Sequence, residues 1–206
     1  ELEYRNDYSV VAIGNVADPI EAFLIVNPTT EVFEGNIRAQ VLHAAPDAPP
    51  VDVYVTAPDA DLAASMPINE DPLAYRDYTD QLEVPAGTYQ VRVTLAGDPE
   101  TVVYDSGAAD LEAGTDLLIA AVENTGPGAT PIQLVALDGA ESTVIFDVAT
   151  PAAVVAVHAS PDAPAVDILA DDLSTAEDDA ITLASNIEFT QFCEIGAVPA
   201  PGDYTI

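Results

Sequence analysis

Lysine and tryptophan are absent from this chain, and cysteine and methionine occur once each. The only fixed cations are Arg5, Arg38, Arg76 and Arg92, set against 36 acidic residues, for a formal net charge of −32 over 206 residues. A field of that sign disfavours nucleic acid and anionic membranes as partners, since neither would approach it. A single cysteine, Cys193, rules out an internal disulfide framework and reads as a buried or half-buried bystander. Long apolar runs are missing as well. The longest, Leu117 to Val122 and Ala152 to Val157, fall far short of the roughly 18 residues of a membrane span, so no membrane insertion is expected. No signal peptide is present and the chain opens on Glu1 without Met, which reads as a mature or trimmed product.

What is present in quantity is acid and apolar residue. Hydrophobic side chains make up 49% of the chain, enough to build cores and to argue against disorder. The carboxylates are spread along the whole length rather than gathered at one site. Self-repulsion on that scale costs compact-state stability unless salt screens it, and at molar salt the Debye length shrinks to about 3 Å. The composition therefore points to a protein adapted to high salt, ahead of a surface built for a basic partner or for Ca²⁺.

The chain is organised around a stretch that occurs twice. His43-Ala44-Ala45-Pro46-Asp47-Ala48-Pro49-Pro50-Val51-Asp52 returns 115 positions later as His158-Ala159-Ser160-Pro161-Asp162-Ala163-Pro164-Ala165-Val166-Asp167. Gly202 and Tyr204 stand at the same displacement from Gly87 and Tyr89, and Phe189 and Phe192 stand 114 positions from Tyr75 and Tyr78. A second echo runs the other way, for Leu2-Glu3 and Asn15 precede Leu111-Glu112 and Asn124 by 109. Internal repetition at this period means tandem modules.

Strand patterns dominate each module. Ile37, Ala39, Val41 and His43 alternate with Arg38, Gln40 and Leu42. Val51, Val53 and Val55 alternate with Asp52, Tyr54 and Thr56, and Tyr89, Val91, Val93 and Leu95 form a third series. Further strands are expected at Tyr8 to Ile13, Ile20 to Val26, Tyr75 to Val84, Thr101 to Tyr104, Asp116 to Val122, Ile132 to Leu137 and Thr143 to Val148, with turns at Asn27-Pro28-Thr29-Thr30, Pro85-Ala86-Gly87 and Gly97-Asp98-Pro99. Asp61 to Ser65 allows one helical turn. The expected class is all-β: Ig-like antiparallel β-sandwich modules, one complete and one split between the N- and C-terminal segments. On this reading residues 37–150 are the complete module, 151–206 open a second, and 1–36 are the closing strands of a 152–206-type half, in the same or a neighbouring chain.

The doubled His-to-Asp stretch resembles the DUF4397 family. The resemblance extends through Val51-Asp52-Val53-Tyr54-Val55, the Val84-Pro85-Ala86-Gly87-Thr88-Tyr89 turn and the Tyr8-Ser9-Val10-Val11-Ala12-Ile13-Gly14 strand. It implies β-sandwich modules, often in tandem, in secreted or surface-attached proteins of bacteria and archaea, with no established catalytic activity. The broken module at each end and Asp203, where a Thr-like residue is more usual, depart from the pattern.

For chemistry, the best candidates are His43, Asp47 and Asp52 and their twins His158, Asp162 and Asp167, which are weak candidates to converge on a cation. The stronger reading is a structural turn, formed by His43, Pro46, Asp47, Pro49 and Asp52 and by His158, Pro161, Asp162, Pro164 and Asp167: Asp after Pro accepts backbone N–H bonds, and a His closing the strand holds the turn through one ring nitrogen. Ser160 beside His158 is answered by Ala45 in the first copy, and neither a Gly-x-Ser-x-Gly elbow nor a phosphate loop occurs, so no nucleophile is supported and no enzyme is expected. The acidic runs Asp59 to Asp61, Glu70-Asp71 and Glu177 to Asp179 lack EF-hand spacing, leaving no cofactor beyond weak Ca²⁺. Tyr75, Tyr78 and Tyr89 offer either a sugar platform or cross-strand pairs.

The expectation is a non-enzymatic extracellular or cell-surface structural protein of a halophile. It would act as a surface or filament subunit joined to itself head to tail through strands carrying Tyr8, Val10, Ala12, Ile20, Phe23 and Ile25. The alternative is a secreted module that binds carbohydrate or a cell-surface partner through its loops.

Overall fold

The structure, a computed structural model, describes residues 3–15, 19–126, 128–172, 180–198 and 204–205. Leu2, Glu177 to Asp179, Gly202, Asp203 and the Cys193 side chain lie outside the described residues. Among the described residues the regular structure is β throughout, apart from one 3-10 turn at Leu62–Ala64 capped by Asp61, whose side chain accepts from the Ala63 N–H. The chain forms two compact units, Glu1–Thr125 with Thr130–Asp147, and Gly126–Ala129 with Val148–Ile206.

The first unit contains β1 (Asn6–Ile13), β2 (Glu21–Pro28), β3 (Asn36–His43), β4 (Val51–Thr56), β5 (Leu82–Pro85), β6 (Gly87–Leu95), β7 (Asp98–Leu111), β8 (Asp116–Glu123), β9 (Ile132–Leu137) and β10 (Ser142–Ile145). Five strands in the order β10-β9-β8-β3-β5 form one sheet, and β4-β6-β7 form the sheet facing it. Alternation explains the packing. Ile37, Ala39 and Val41 of β3, with Ile119 of β8 and Leu134 of β9, meet Val51 and Val53 of β4, Val91 and Val93 of β6 and Tyr104 of β7 in one buried core. Tyr104 ties the layers together by donating from its hydroxyl to the Ile145 carbonyl at 2.8 Å.

The five-stranded sheet is mixed rather than purely antiparallel, because β3 and β8 run parallel with Arg38 beside Asp116 and Val41 beside Ile119. Some 70 residues of intervening chain supply the crossover that a parallel pair needs. The strand expected over Tyr75 to Val84 is confined to β5. The chain turns first at Ala74–Asp77, where Asp77 Oδ2 accepts from the Ala74 N–H at 3.1 Å and Arg76 takes a φ of 77°. The expected short strand Thr101 to Tyr104 is part of the longer β7, which pairs with β6 directly after Gly97 (φ 74°), so the reversal precedes Asp98-Pro99. Ile20, expected within a strand, sits just before β2 and is exposed.

The hairpin β1–β2 is a two-stranded sheet seated on the outer face of the five-stranded one. Arg38, Gln40 and Leu42 of β3 would face solvent on alternation alone, yet all three are buried. Asn27 Nδ2 donates to Gln40 Oε1 at 2.8 Å, and Arg38 donates to Thr30 Oγ1 at 2.7 Å and to the Thr30 carbonyl at 3.0 Å. Phe23 meets Tyr78 edge to face at 6.0 Å, and Glu21 pairs with Arg76. The hairpin belongs to the first unit, because β3 carries a second set of side chains for it to cover.

The second unit contains β11 (Ala152–Val157), β12 (Val166–Asp172), β13 (Ile181–Ile187), β14 (Phe192–Val198) and β15 (Tyr204–Thr205). Here β11 pairs antiparallel with β14, and β12 lies between β13 and β15. These pairings repeat those of β3 with β5 and of β4 with β6. Among the described residues no strand lies along the second edge of β11, where β3 takes β8.

Candidate functional site

Each doubled stretch folds as a strand end followed by a tight turn that a histidine closes. His43, the last residue of β3, is buried, and its Nε2 lies 3.2 Å from the Pro49 carbonyl oxygen. A proline carbonyl can only accept, so Nε2 carries the proton. His158 repeats the contact to Pro164 at 3.0 Å, and its Nδ1 accepts the Ser160 backbone N–H at 3.2 Å. The His158 ring is thereby a neutral tautomer with both nitrogens engaged. His43 Nδ1 is buried without a partner. Turn bonds from the Ala48 N–H to the Ala45 carbonyl (3.3 Å) and from the Ala163 N–H to the Ser160 carbonyl (3.5 Å) complete the correspondence.

The acids of the motif do not join the histidines. Asp47 is exposed, and it is its backbone N–H that is engaged, by Glu123 Oε1 at 3.3 Å. Asp162 is exposed. Asp52 is buried and turned to the opposite side of the turn, where Oδ2 accepts the Gly97 N–H at 2.7 Å and Oδ1 accepts from Asn69 Nδ2 at 3.1 Å. Asp167 likewise accepts the Asn186 N–H at 2.7 Å. Pro46, Pro49, Pro161 and Pro164 fix φ within the turns and withhold donors, so the carbonyl that each histidine reaches is free to accept. Among the described residues no three of His, Cys, Asp and Glu gather in a group fit for a cation.

Nothing in the residue order marks Asn69. It is buried beyond the 3-10 turn in the excursion that follows β4, where its Oδ1 accepts the Val53 N–H at 2.8 Å and its Nδ2 donates to the Asp71 carbonyl at 2.9 Å. A lone Asn between Ile68 and Glu70 looks like loop polarity. Its burial follows only from the acceptance of an otherwise orphaned β4 donor. Gln90 does similar work, donating to both Asp105 oxygens (2.7 and 2.9 Å) and accepting the Asp59 N–H at 2.7 Å.

The tyrosines do not form a single platform. Tyr89 donates to the Pro85 carbonyl at 2.7 Å, Tyr75 lies under the Arg76 guanidinium at 5.5 Å, and Tyr78 meets Phe23. Tyr78 does line an open groove of about 450 Å³ with Glu70, Asp71, Asp77 and Asp80. The ion pair of β3 completes the polar inventory. Arg38 donates to both Asp116 oxygens, and this bond, reinforced by the Asp116 charge and opposed by burial, lifts its pKa further above an already basic value.

No curated protein and no solved structure matches the chain. One family model does, over residues 1–54 and again over 55–169. The second match spans 115 residues, the same as the internal period, and runs from within β4 to within β12. A family unit is thus phased differently from a compact unit and draws strands from both. With most of its length matched, the chain belongs to DUF4397, a domain of unknown function.

Proposed function

We propose that the protein is a non-enzymatic structural protein of the cell exterior in a high-salt habitat, a surface or filament subunit that joins to further copies by β-strand complementation. The observation that carries this reading is apolar strand surface left open at two places. One face of the β1–β2 hairpin exposes Val10, Leu24 and Val26, and β11 exposes Val155 and Val157 beside an edge on which no strand lies among the described residues. Unpaired edges with apolar flanks are templates for another chain. The engagement of His43 and His158 with backbone carbonyls supports a structural role for the doubled motif. The charge of −32 supports a surface that stays hydrated and soluble in concentrated salt.

The test is the mass per particle by light scattering, over a range of protein concentration in about 2–4 M salt. Mass that climbs with concentration supports the subunit reading, and a constant monomer mass refutes it. One observation favours a second reading, that of a binding module: the open groove beside the half-exposed Tyr78 is lined by Glu70, Asp71, Arg76, Asp77 and Asp80, which offer hydrogen-bonding groups to a polyhydroxy ligand. Retention on a glycan array that Tyr78→Ala abolishes would favour it.

A further inference from the structure

The hairpin β1–β2 reproduces β8–β9 in register. Asp7, Val10, Ala12 and Asn15 stand 109 positions before Asp116, Ile119, Ala121 and Asn124, and Pro19-Ile20 stand 112 before Pro131-Ile132. Cross-strand partners carry over with them. Val10 lies opposite Leu24 as Ile119 lies opposite Ala136, and Ala12 opposite Ala22 as Ala121 opposite Leu134. The turn that enters each hairpin places a left-handed residue at the same point, Arg5 at φ 73° and Gly114 at φ 87°.

The two hairpins differ in which face is covered. In β8–β9 the face bearing Ile119, Ala121, Leu134 and Ala136 is buried in the sandwich core. In β1–β2 the equivalent face bears Val10 (67% exposed), Ala12, Ala22 and Leu24 (48% exposed), all open to solvent, while Ile13 and Ile25 of the other face are buried. So the face that its counterpart sends into a core is the face this hairpin leaves free.

The second unit shows the matching deficit. Val154, Ala156, Val166 and Ile168 hold the places of Ala39, Val41, Val51 and Val53, which are buried in the first unit, but here they are only partly covered. The edge of β11 that corresponds to the β8 side of β3 has no strand among the described residues.

Building on the assembly reading above, we infer that the β1–β2 hairpin of one copy completes the second unit of another copy. In that arrangement β1 lies parallel to β11 in the register of β8 with β3: Ser9 beside Val155, Val10 beside Ala156, Ala12 beside His158. Val10, Ala12 and Leu24 enter the core over Ile168. The buried face of the hairpin stays on its own first unit throughout, so the joint needs no undocking. Each copy donates one hairpin and receives one, which makes the contact heterologous and the growth head to tail.

The experiment uses the full chain in about 3 M salt, with Cys193→Thr as background so that the only thiols are those introduced. Ser9→Cys with Val155→Cys is compared, after mild oxidation, with Val11→Cys and Val155→Cys, which is two residues out of register. The expected result is a ladder of disulfide-linked multimers for the first pair, at least about tenfold stronger than for the second, since a shift of two residues exceeds disulfide reach. Separately, Leu24→Asp, at an exposed position, is expected to return the particle mass to that of a monomer with an unchanged circular dichroism spectrum. A wild-type chain that is monomeric at every concentration defeats the assembly reading and this inference together. A wild-type chain that assembles, but with mass indifferent to Leu24→Asp, with both pairs cross-linking equally or with cross-links inside single chains, overturns the register alone.

Discussion

His43 and Pro49 are joined across six residues by a hydrogen bond from imidazole Nε2 to the proline carbonyl oxygen, at 3.2 Å, and His158 and Pro164 repeat it at 3.0 Å. The bond closes the turn that carries the chain from one sheet of each unit towards the other. Replacing His43 by Ala removes the donor from the Pro49 carbonyl and opens a cavity where the buried ring stood. The expected cost is about 2–4 kcal/mol, combining a lost part-buried hydrogen bond with a large-to-small change. Denaturant unfolding in high salt measures it. A cost under about 0.5 kcal/mol, the range of an ordinary surface substitution, would show that the turn holds without the ring.

Commitment of Nε2 to a carbonyl also predicts the outcome of metal removal. A chelator is expected to leave the unfolding midpoint of the wild-type chain unchanged, because Asp47 and Asp52 do not converge on His43. A midpoint that falls on chelation and recovers with added Ca²⁺ would instead locate a cation in the fold, since a ligand bound only by the native state raises its stability.

Much of this fold could be read from residue order. The alternation of Ile37, Ala39 and Val41 with Arg38, Gln40 and Leu42 marks β3, and the doubled His-to-Asp stretch marks the modules. What alternation cannot say is what lies over the second face. Arg38 and Gln40 read as a solvated side, and they are buried only because the β1–β2 hairpin rests there with Asn27 and Thr30 as its contacts. The parallel pairing of β3 with β8 was equally hidden, since a period of two identifies a strand and says nothing of its partner. Of the candidate site, a histidine that ends a strand ahead of a proline turn suggested a ring held on the turn backbone, whereas Asp47 and Asp162, expected as acceptors in it, are exposed. Asn69 and Gln90 were not, because their burial follows from tertiary packing, which leaves no local mark.

The pairing of Arg38 with Asp116 joins β3 to β8 and also reaches the hairpin through Thr30. Asp116→Ala strands a buried guanidinium, while the carboxylate it removes is itself about 45% exposed. The cost should therefore fall between those of exposed and buried pairs, about 1–3 kcal/mol. Arg38→Met, which removes the charge together with its need for a partner, should cost less than Asp116→Ala despite losing the Thr30 contacts. The reverse order in a pair of denaturant titrations would mean that hairpin anchoring outweighs the stranded charge.

Alkaline pH offers a separate probe of the core. Burial, with the nearby charges of Asp147 and Asp105, pushes the Tyr104 pKa well above its ordinary 10.0. The native state therefore holds this proton more tightly than the unfolded chain does. For such a group the stabilising contribution is complete below the unfolded pKa of 10.0 and declines as pH rises beyond it, because the unfolded state ionises first. Stability measured at constant high salt should accordingly fall above pH of about 10. Tyr104→Phe should flatten that decline, at the price of about 1 kcal/mol at neutral pH for the hydrogen bond to the Ile145 carbonyl. If the variant loses stability with pH as steeply as the wild type, the alkaline transition belongs to other groups. Tyr104 would then contribute through packing alone.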